Sequence, residues 1–250
     1  MSWNARDLRP RAKLEKEAFL KTKNSYCDNK RSVTSKWPIP NLERIEGIIQ
    51  DGPKLVDIWD LSPIQRTTDA PNTDVILSLL YPDNPWLCIG ATQNYFNTLT
   101  LDYWRGKLAD KQFIVPSPMT CQSGITKQGK VSKHTLQNTG PRRYLVLDFD
   151  DGTLDQHAAI IWHLAVNYAP LTMALFSGGK GLHAWFNVHN CPEAQVLKFF
   201  QYAVSLWADK RLWTRSQFAR LPDGIRKSAQ NKPTARQQVI YLNPNNIPQI

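Results

Sequence analysis

Arg143-Tyr-Leu-Val-Leu-Asp-Phe-Asp-Asp-Gly-Thr-Leu154 decides how the chain reads. Side chains of a β-strand alternate between two faces, so Leu145, Leu147 and Phe149 point one way while Asp148 and Asp150 point the other. Two strand steps separate the acids by roughly 6.6 Å between Cα atoms, close enough to converge on one hard cation or on a pair of them. Unpaired carboxylates that close on a half-buried sheet repel each other, and positive charge relieves them. The plainer alternative is that Asp150 and Asp151 begin a turn, with Asp148 exposed at a strand end.

Working outward, the pattern downstream is crisp. A helix is expected over 155–168, a strand over 172–176, a glycine turn, a strand over 182–188, a helix over 193–207 and a last strand over 237–242. Pro192 suits a first helical position, and Val196, Phe200, Ala203, Val204 and Trp207 give the second helix an apolar stripe for the sheet. Upstream the signal is poorer. Pro38, Pro40, Pro53 and Pro63 break the chain into loops and short elements, short buried segments fit 75–80 and 87–90, and a short strand fits 112–115. A short helix is expected over 11–21. Residues 119–140 are rich in Thr, Ser, Gly, Lys and Gln and predict a long loop or ribbon without a core of its own.

Two further stretches carry chemistry. In Phe176-Ser-Gly-Gly-Lys-Gly-Leu-His-Ala-Trp-Phe186, three glycines join two strands and let backbone N–H groups approach an anion, with Ser177 and Lys180 beside them. His183, Trp185 and Asn187 share one face of the second strand, opposite Leu182, Ala184, Phe186 and Val188. A plain hairpin turn and a core histidine are the structural alternatives, and a P-loop is excluded because GxxxxGK[ST] is absent and a strand follows. In 208–222, Asp209 follows a helix and precedes Arg215 and Arg220.

The chain has 250 residues and a net charge of +10, distributed unevenly. Residues 1–36 hold 10 basic and 4 acidic side chains, residues 198–236 hold 9 and 2, and 37–197 hold 12 and 15. Basic flanks around an acidic middle fit either solvated faces or binding to a polyanion. Hydrophobic residues make up 42%, enough for a core, and no apolar run approaches the ~20 residues of a membrane helix. Cys27, Cys88, Cys121 and Cys191 are too scattered for a zinc ribbon or a disulfide framework, which suggests a reducing, cytoplasmic setting.

The segment DFDDGTL, 148–154, resembles the DxDGT signature of haloacid dehalogenase-type phosphatases, but the register fails. Gly152-Thr153 makes Asp151 the second acid, so the nucleophile's place falls on Phe149. Taken together, the aspartate pair on a strand, S-G-x-K-G-x-H between strands, and an aspartate followed by R-L-P resemble the three motifs of the archaeo-eukaryotic primase superfamily. The match covers residues 141 to about 242, and 116–140 looks like what precedes the catalytic strand in phage and plasmid primase-polymerases.

The resemblance implies an α+β primase fold in two lobes, 1–140 and 141–250, the second an RRM-like antiparallel or mixed sheet carrying the active site. It implies that Asp148, Asp150 and Asp209 are the catalytic residues, holding two Mg²⁺ or Mn²⁺ ions. Asp223 and Asp151 are the other candidates for the third acid. Ser177, Gly178, Lys180, His183 and Arg220 would bind the nucleotide's phosphates. The implied function is a DNA primase-polymerase of a mobile replicon, acting on single-stranded DNA with NTP or dNTP and served by a separate replicative helicase. A non-catalytic single-stranded DNA-binding module on a degenerate primase fold is the alternative, and a metal-dependent nuclease or phosphatase a third.

Overall fold

A computed structural model describes residues 37–65, 72–227 and 235–248. The helix expected over 11–21 and the basic segment 1–36 lie outside them.

Four antiparallel strands form the central sheet: β6 (Tyr144–Phe149), β7 (Leu171–Phe176), β8 (Leu182–Asn187) and β12 (Val239–Leu242), in the order β12-β7-β8-β6. Helix α5 (Leu154–Asn167) links β6 to β7, and α6 (Glu193–Val204) follows β8. Strands β6 and β7 therefore run parallel with β8 between them, the split βαβ unit of ferredoxin-like folds. In those folds the fourth strand lies beside the first; here β12 lies beside β7, which leaves β6 as an edge.

The two faces of this sheet are covered differently. Leu145, Leu147, Phe149, Ala184 and Phe186 pack under α5 and α6. The Asp-Gly-Thr stretch is the lead-in to α5: Gly152 takes a φ of +99°, and Thr153 accepts the Gln156 N–H at 3.3 Å while its own N–H donates to Gln156 Oε1 at 2.8 Å. Pro192 proves to be the residue that caps α6, one place before its first turn. Two short helices, α1 (Leu42–Asp51) and α2 (Leu55–Asp60), sit between the prolines and contribute Ile45 and Ile58 to the same layer. Asn41 caps α1 by accepting the Arg44 N–H at 3.0 Å.

The opposite face, with Tyr144, Val146, Met173, Leu175 and Trp185, packs on residues from α3 (Thr73–Leu80), β1 (Trp86–Gly90), α4 (Leu101–Trp104), β3 (Phe113–Ile114) and β9 (Ala219–Arg220). Strand β2 (Phe96–Thr100) completes a second sheet in the order β2-β1-β3-β9. Residues 75–80, read as a short buried segment, belong to helix α3, which buries Ile76, Leu77 and Leu80 and leaves Val75 exposed. Strand β9 comes from beyond residue 141 yet pairs with β3, so the two halves of the chain interlock. Residues 119–140 carry a ribbon, β4 (Gly124–Ile125) with β5 (Val131–Ser132), and a last pair joins β10 (Ile225–Arg226) to β11 (Ala235–Arg236). No helix among the described residues is long and apolar enough to cross a membrane.

Candidate active site

The acid-bearing end of β6 lies beside the loop end of β8, where Asp148 stands opposite His183 in register. Nε2 of His183 is 3.3 Å from Asp148 Oδ1, and its Nδ1 accepts the backbone N–H of Arg220 at 3.4 Å. That acceptor role puts the ring proton on Nε2, facing the carboxylate. Both side chains are largely enclosed. The approach of His183 lacks hydrogen-bond alignment, so Asp148 Oδ1 is a buried oxygen with no hydrogen-bond partner. Burial on its own would raise the Asp148 carboxyl; His183, with Arg220 and Arg211 farther off, holds it below its ordinary value of 3.8.

Asp150 lies one residue past the strand, tight against the glycine turn. A Cβ built on Gly181 would stand 2.0 Å from the Phe149 carbonyl oxygen and 2.6 Å from Asp150 Oδ1. Gly181 is thus glycine because the turn closes on the end of β6. Asp209 reaches the same place from the other side. Helix α6 ends in a left-handed Trp207, with φ +76°, and the Ala208 N–H donates to the Ala203 carbonyl at 3.0 Å. That reversal directs the Asp209 N–H onto the Asp148 carbonyl at 2.8 Å.

The Asp209 side chain is engaged. Oδ1 caps a 3₁₀ turn by accepting the Arg211 N–H at 2.9 Å, and Oδ2 meets the Arg211 guanidinium at 2.6 Å. The other two candidates for third acid do structural work or point away. Asp223 accepts the Asn72 N–H at 2.8 Å from a buried position, and Asp151 is exposed, its carbonyl held 2.6 Å from His157 Nε2. Asp148, Asp150 and Asp209 are therefore neighbours, but no group of three or more His, Cys, Asp or Glu among the described residues is gathered as a metal ligand set.

The phosphate candidates divide. Ser177 is buried and its N–H is spent on the Gly181 carbonyl at 2.9 Å, while Lys180 stands exposed at the tip of the turn. The surface of Gly178 and Gly179 is taken by Arg226, whose side chain lies 3.0 Å and 2.2 Å from where their Cβ atoms would be. Gly178 also has φ +74°, a backbone that favours glycine. The glycines that read as an anion cradle accommodate a guanidinium. Arg226 was not legible as a site residue, because the turn it covers is nearly fifty residues upstream; glycines in need of a close neighbour were the only signal.

Arg220 lies near this second arginine, its guanidinium over the Phe113 ring at 4.7 Å. Burial first, and then Arg226, pull the Arg220 group below its ordinary value, while Asp148 and Asp150 oppose the shift. Among the described residues neither arginine has an acidic side chain within 4.0 Å. Trp185, read as one of a polar trio, is instead fully buried against the second sheet. The outcome is a junction of three acids, one histidine and two unpaired arginines, with Lys180 at its rim. No protein-family model, curated protein or solved structure matches the chain.

Proposed function

We propose that the chain is a template-directed nucleotidyltransferase, a DNA primase-polymerase of the archaeo-eukaryotic type. It would join NTP or dNTP to a 3′-hydroxyl on single-stranded DNA in a replicon's cytoplasmic host, beside a separate helicase. The observation that carries the reading is the arrangement around His183. One ring nitrogen faces the Asp148 carboxylate and the other takes the backbone N–H of Arg220, so one side chain ties the acid-bearing strand to the strand that carries Arg220.

Two unpaired arginines beside a lysine suit a polyphosphate, which needs several donors and a positive field. Arg220 and Arg226 would hold the triphosphate, Lys180 would reach it from the turn, and Gly178 and Ser177 would shape the turn beneath. Asp148 offers a buried oxygen that faces His183 without a hydrogen bond and Asp150 a second acid, a donor set that fits Mg²⁺ or Mn²⁺, and Asp209 would join it once Arg211 releases the carboxylate. Such ions, when bound, stabilise charge on the attacking and leaving oxygens. Cys88 is buried, and burial pushes its thiol up to about 12, so it has no reactive role.

A second reading, a non-catalytic single-stranded DNA-binding module, is favoured by one observation: Asp209 is neutralised by Arg211 and the three acids form no ligand set. Incorporation of labelled nucleotides on primed and unprimed single-stranded DNA, with Mg²⁺ or Mn²⁺, separates the two. Incorporation that disappears in Asp148→Asn/Asp150→Asn supports the polymerase. A wild type that binds DNA and incorporates nothing supports the module. Phosphoester hydrolysis without any nucleoside triphosphate would support a nuclease or phosphatase instead.

A further inference from the structure

Charge reading along the chain places the basic flanks at the two ends, yet one stretch of the middle is basic without compromise. Residues 111–147 contain six Lys or Arg and not one Asp or Glu. Three of the lysines, Lys127, Lys130 and Lys133, lie on the β4–β5 ribbon and its base. Lys127 and Lys130 are exposed at the tip with Gln128 and Gly129 between them. None of the ion pairs among the described residues involves these lysines.

The ribbon projects but is built stiffly. Its strands pair in a two-stranded sheet of their own, the Ile125 N–H donates to Gln137 Oε1 at 2.5 Å, and the tip closes through the Thr126 N–H to the Lys130 carbonyl at 2.9 Å, with Gly129 at φ +76°. At the base, Asn138 Oδ1 accepts from the Thr135 N–H at 2.8 Å and hydroxyl at 2.7 Å, and its Nδ2 reaches the Cys121 and Lys133 carbonyls at 3.2 Å. His134 is held between Phe96 and Phe218, with ring centroids 5.2 Å and 4.4 Å away. The ribbon thus leaves a rigid root with its lysine-bearing tip exposed. Ile125 and Val131, directly opposite in register, stay 48% and 72% exposed on it, an apolar pair that no other element covers.

The geometry points to the β4–β5 ribbon as a binding element for double-stranded DNA, the duplex that a primer makes with its template. This rests on the nucleic-acid reading of the site above. Charge complementarity selects a polyanion, because unpaired lysines at a rigid tip release counterions when they meet phosphates. Duplex is selected over single strand by what the ribbon lacks. Single-strand sites stack bases on aromatic side chains, and residues 121–133 contain no Phe, Trp or Tyr. A two-stranded ribbon also has the width of the major groove, about 12 Å, where Ile125 and Val131 would meet methyl and sugar surface.

The test is fluorescence anisotropy with a labelled duplex and a labelled oligo(dT) of equal length, over a range of salt concentrations. In Lys127→Gln/Lys130→Gln/Lys133→Gln, duplex affinity is expected to fall at least tenfold. The slope of log K against log salt should lose about 2 to 3, near 0.9 per lost phosphate contact. Oligo(dT) binding should change less. Gln128→Lys, at the exposed tip, should tighten duplex binding and steepen the slope. An unchanged duplex affinity in the triple variant, or an equal loss on oligo(dT), overturns the proposal. Nucleotide incorporation is scored separately. A wild type that incorporates while the triple variant binds duplex normally removes the ribbon's role alone. A triple variant that loses duplex binding in a chain that never incorporates removes the polymerase alone.

Discussion

His183 and Asp148 face each other across two antiparallel strands, Nε2 3.3 Å from Oδ1, while the far nitrogen of the same ring is fixed by the backbone of Arg220. One imidazole thereby joins the central sheet to the strand that completes the second sheet. The carboxyl it faces is held below 3.8, so its ionised form favours the folded state. The sign follows: this stabilisation is present above 3.8 and is lost as the pH falls through the lower folded value. The difference in unfolding free energy between wild type and Asp148→Asn, from urea titrations at a series of pH values, should shrink on acidification through that range. A difference that stays constant or grows contradicts the pairing.

Arg211 is largely exposed and holds a carboxylate that a metal would need. Arg211→Ala should leave the melting temperature unchanged, as surface pairs usually do, and tighten Mn²⁺ binding a few-fold. Electron paramagnetic resonance of free Mn²⁺ measures this without any turnover. Weaker binding in the variant would mean that Arg211 supports the site instead of competing for it.

Gly181 and Gly47 make a matched pair. Gly181→Ala forces a Cβ into the Phe149 carbonyl and the Asp150 carboxylate, and should cost about 1 to 3 kcal/mol of stability, as overpacking does. Gly47 lies in the exposed part of α1 with nothing within 4 Å of a Cβ, so Gly47→Ala should stabilise by about 0.5 to 1 kcal/mol. Chemical denaturation of both variants checks the opposite signs.

Arg226 covers the glycine turn and has no acidic partner among the described residues. If it holds triphosphate in the ground state and in the reaction alike, Arg226→Ala should raise KM for the nucleotide about tenfold with kcat little changed, the worth of one charge-assisted hydrogen bond. Steady-state incorporation over a nucleotide titration gives the split. A fall in kcat at constant KM would assign Arg226 to the transition state alone.

Much of the central sheet was legible because β6, β7 and β8 are long enough to show a period of two, and α5 and α6 carry their caps and stripes in sequence. Strands of the second sheet are short: β3 and β9 have two residues each, too few for any pattern. Helix α1 was hidden among prolines that flank it without entering it. At the site, alternation within strands gave the faces of Asp148 and His183, while their register opposite each other comes from the fold. The engagement of Asp209 by Arg211 comes from the fold as well, since a helix end reveals nothing of where the next side chain points. Lys180 read as a phosphate ligand by its place among glycines, and only the fold reveals that Arg226 lies over that turn.

Strand β9 is two residues long and closes a sheet whose other strands end more than a hundred residues earlier. Its pairing is a contact of high sequence separation, costly to reach early in folding. Because that strand carries Arg220, the candidate site is assembled late. A partly folded molecule would then expose its acids without the arginines that offset them. Severing the chain near residue 140 should leave two fragments inactive apart, with activity returning only when they associate.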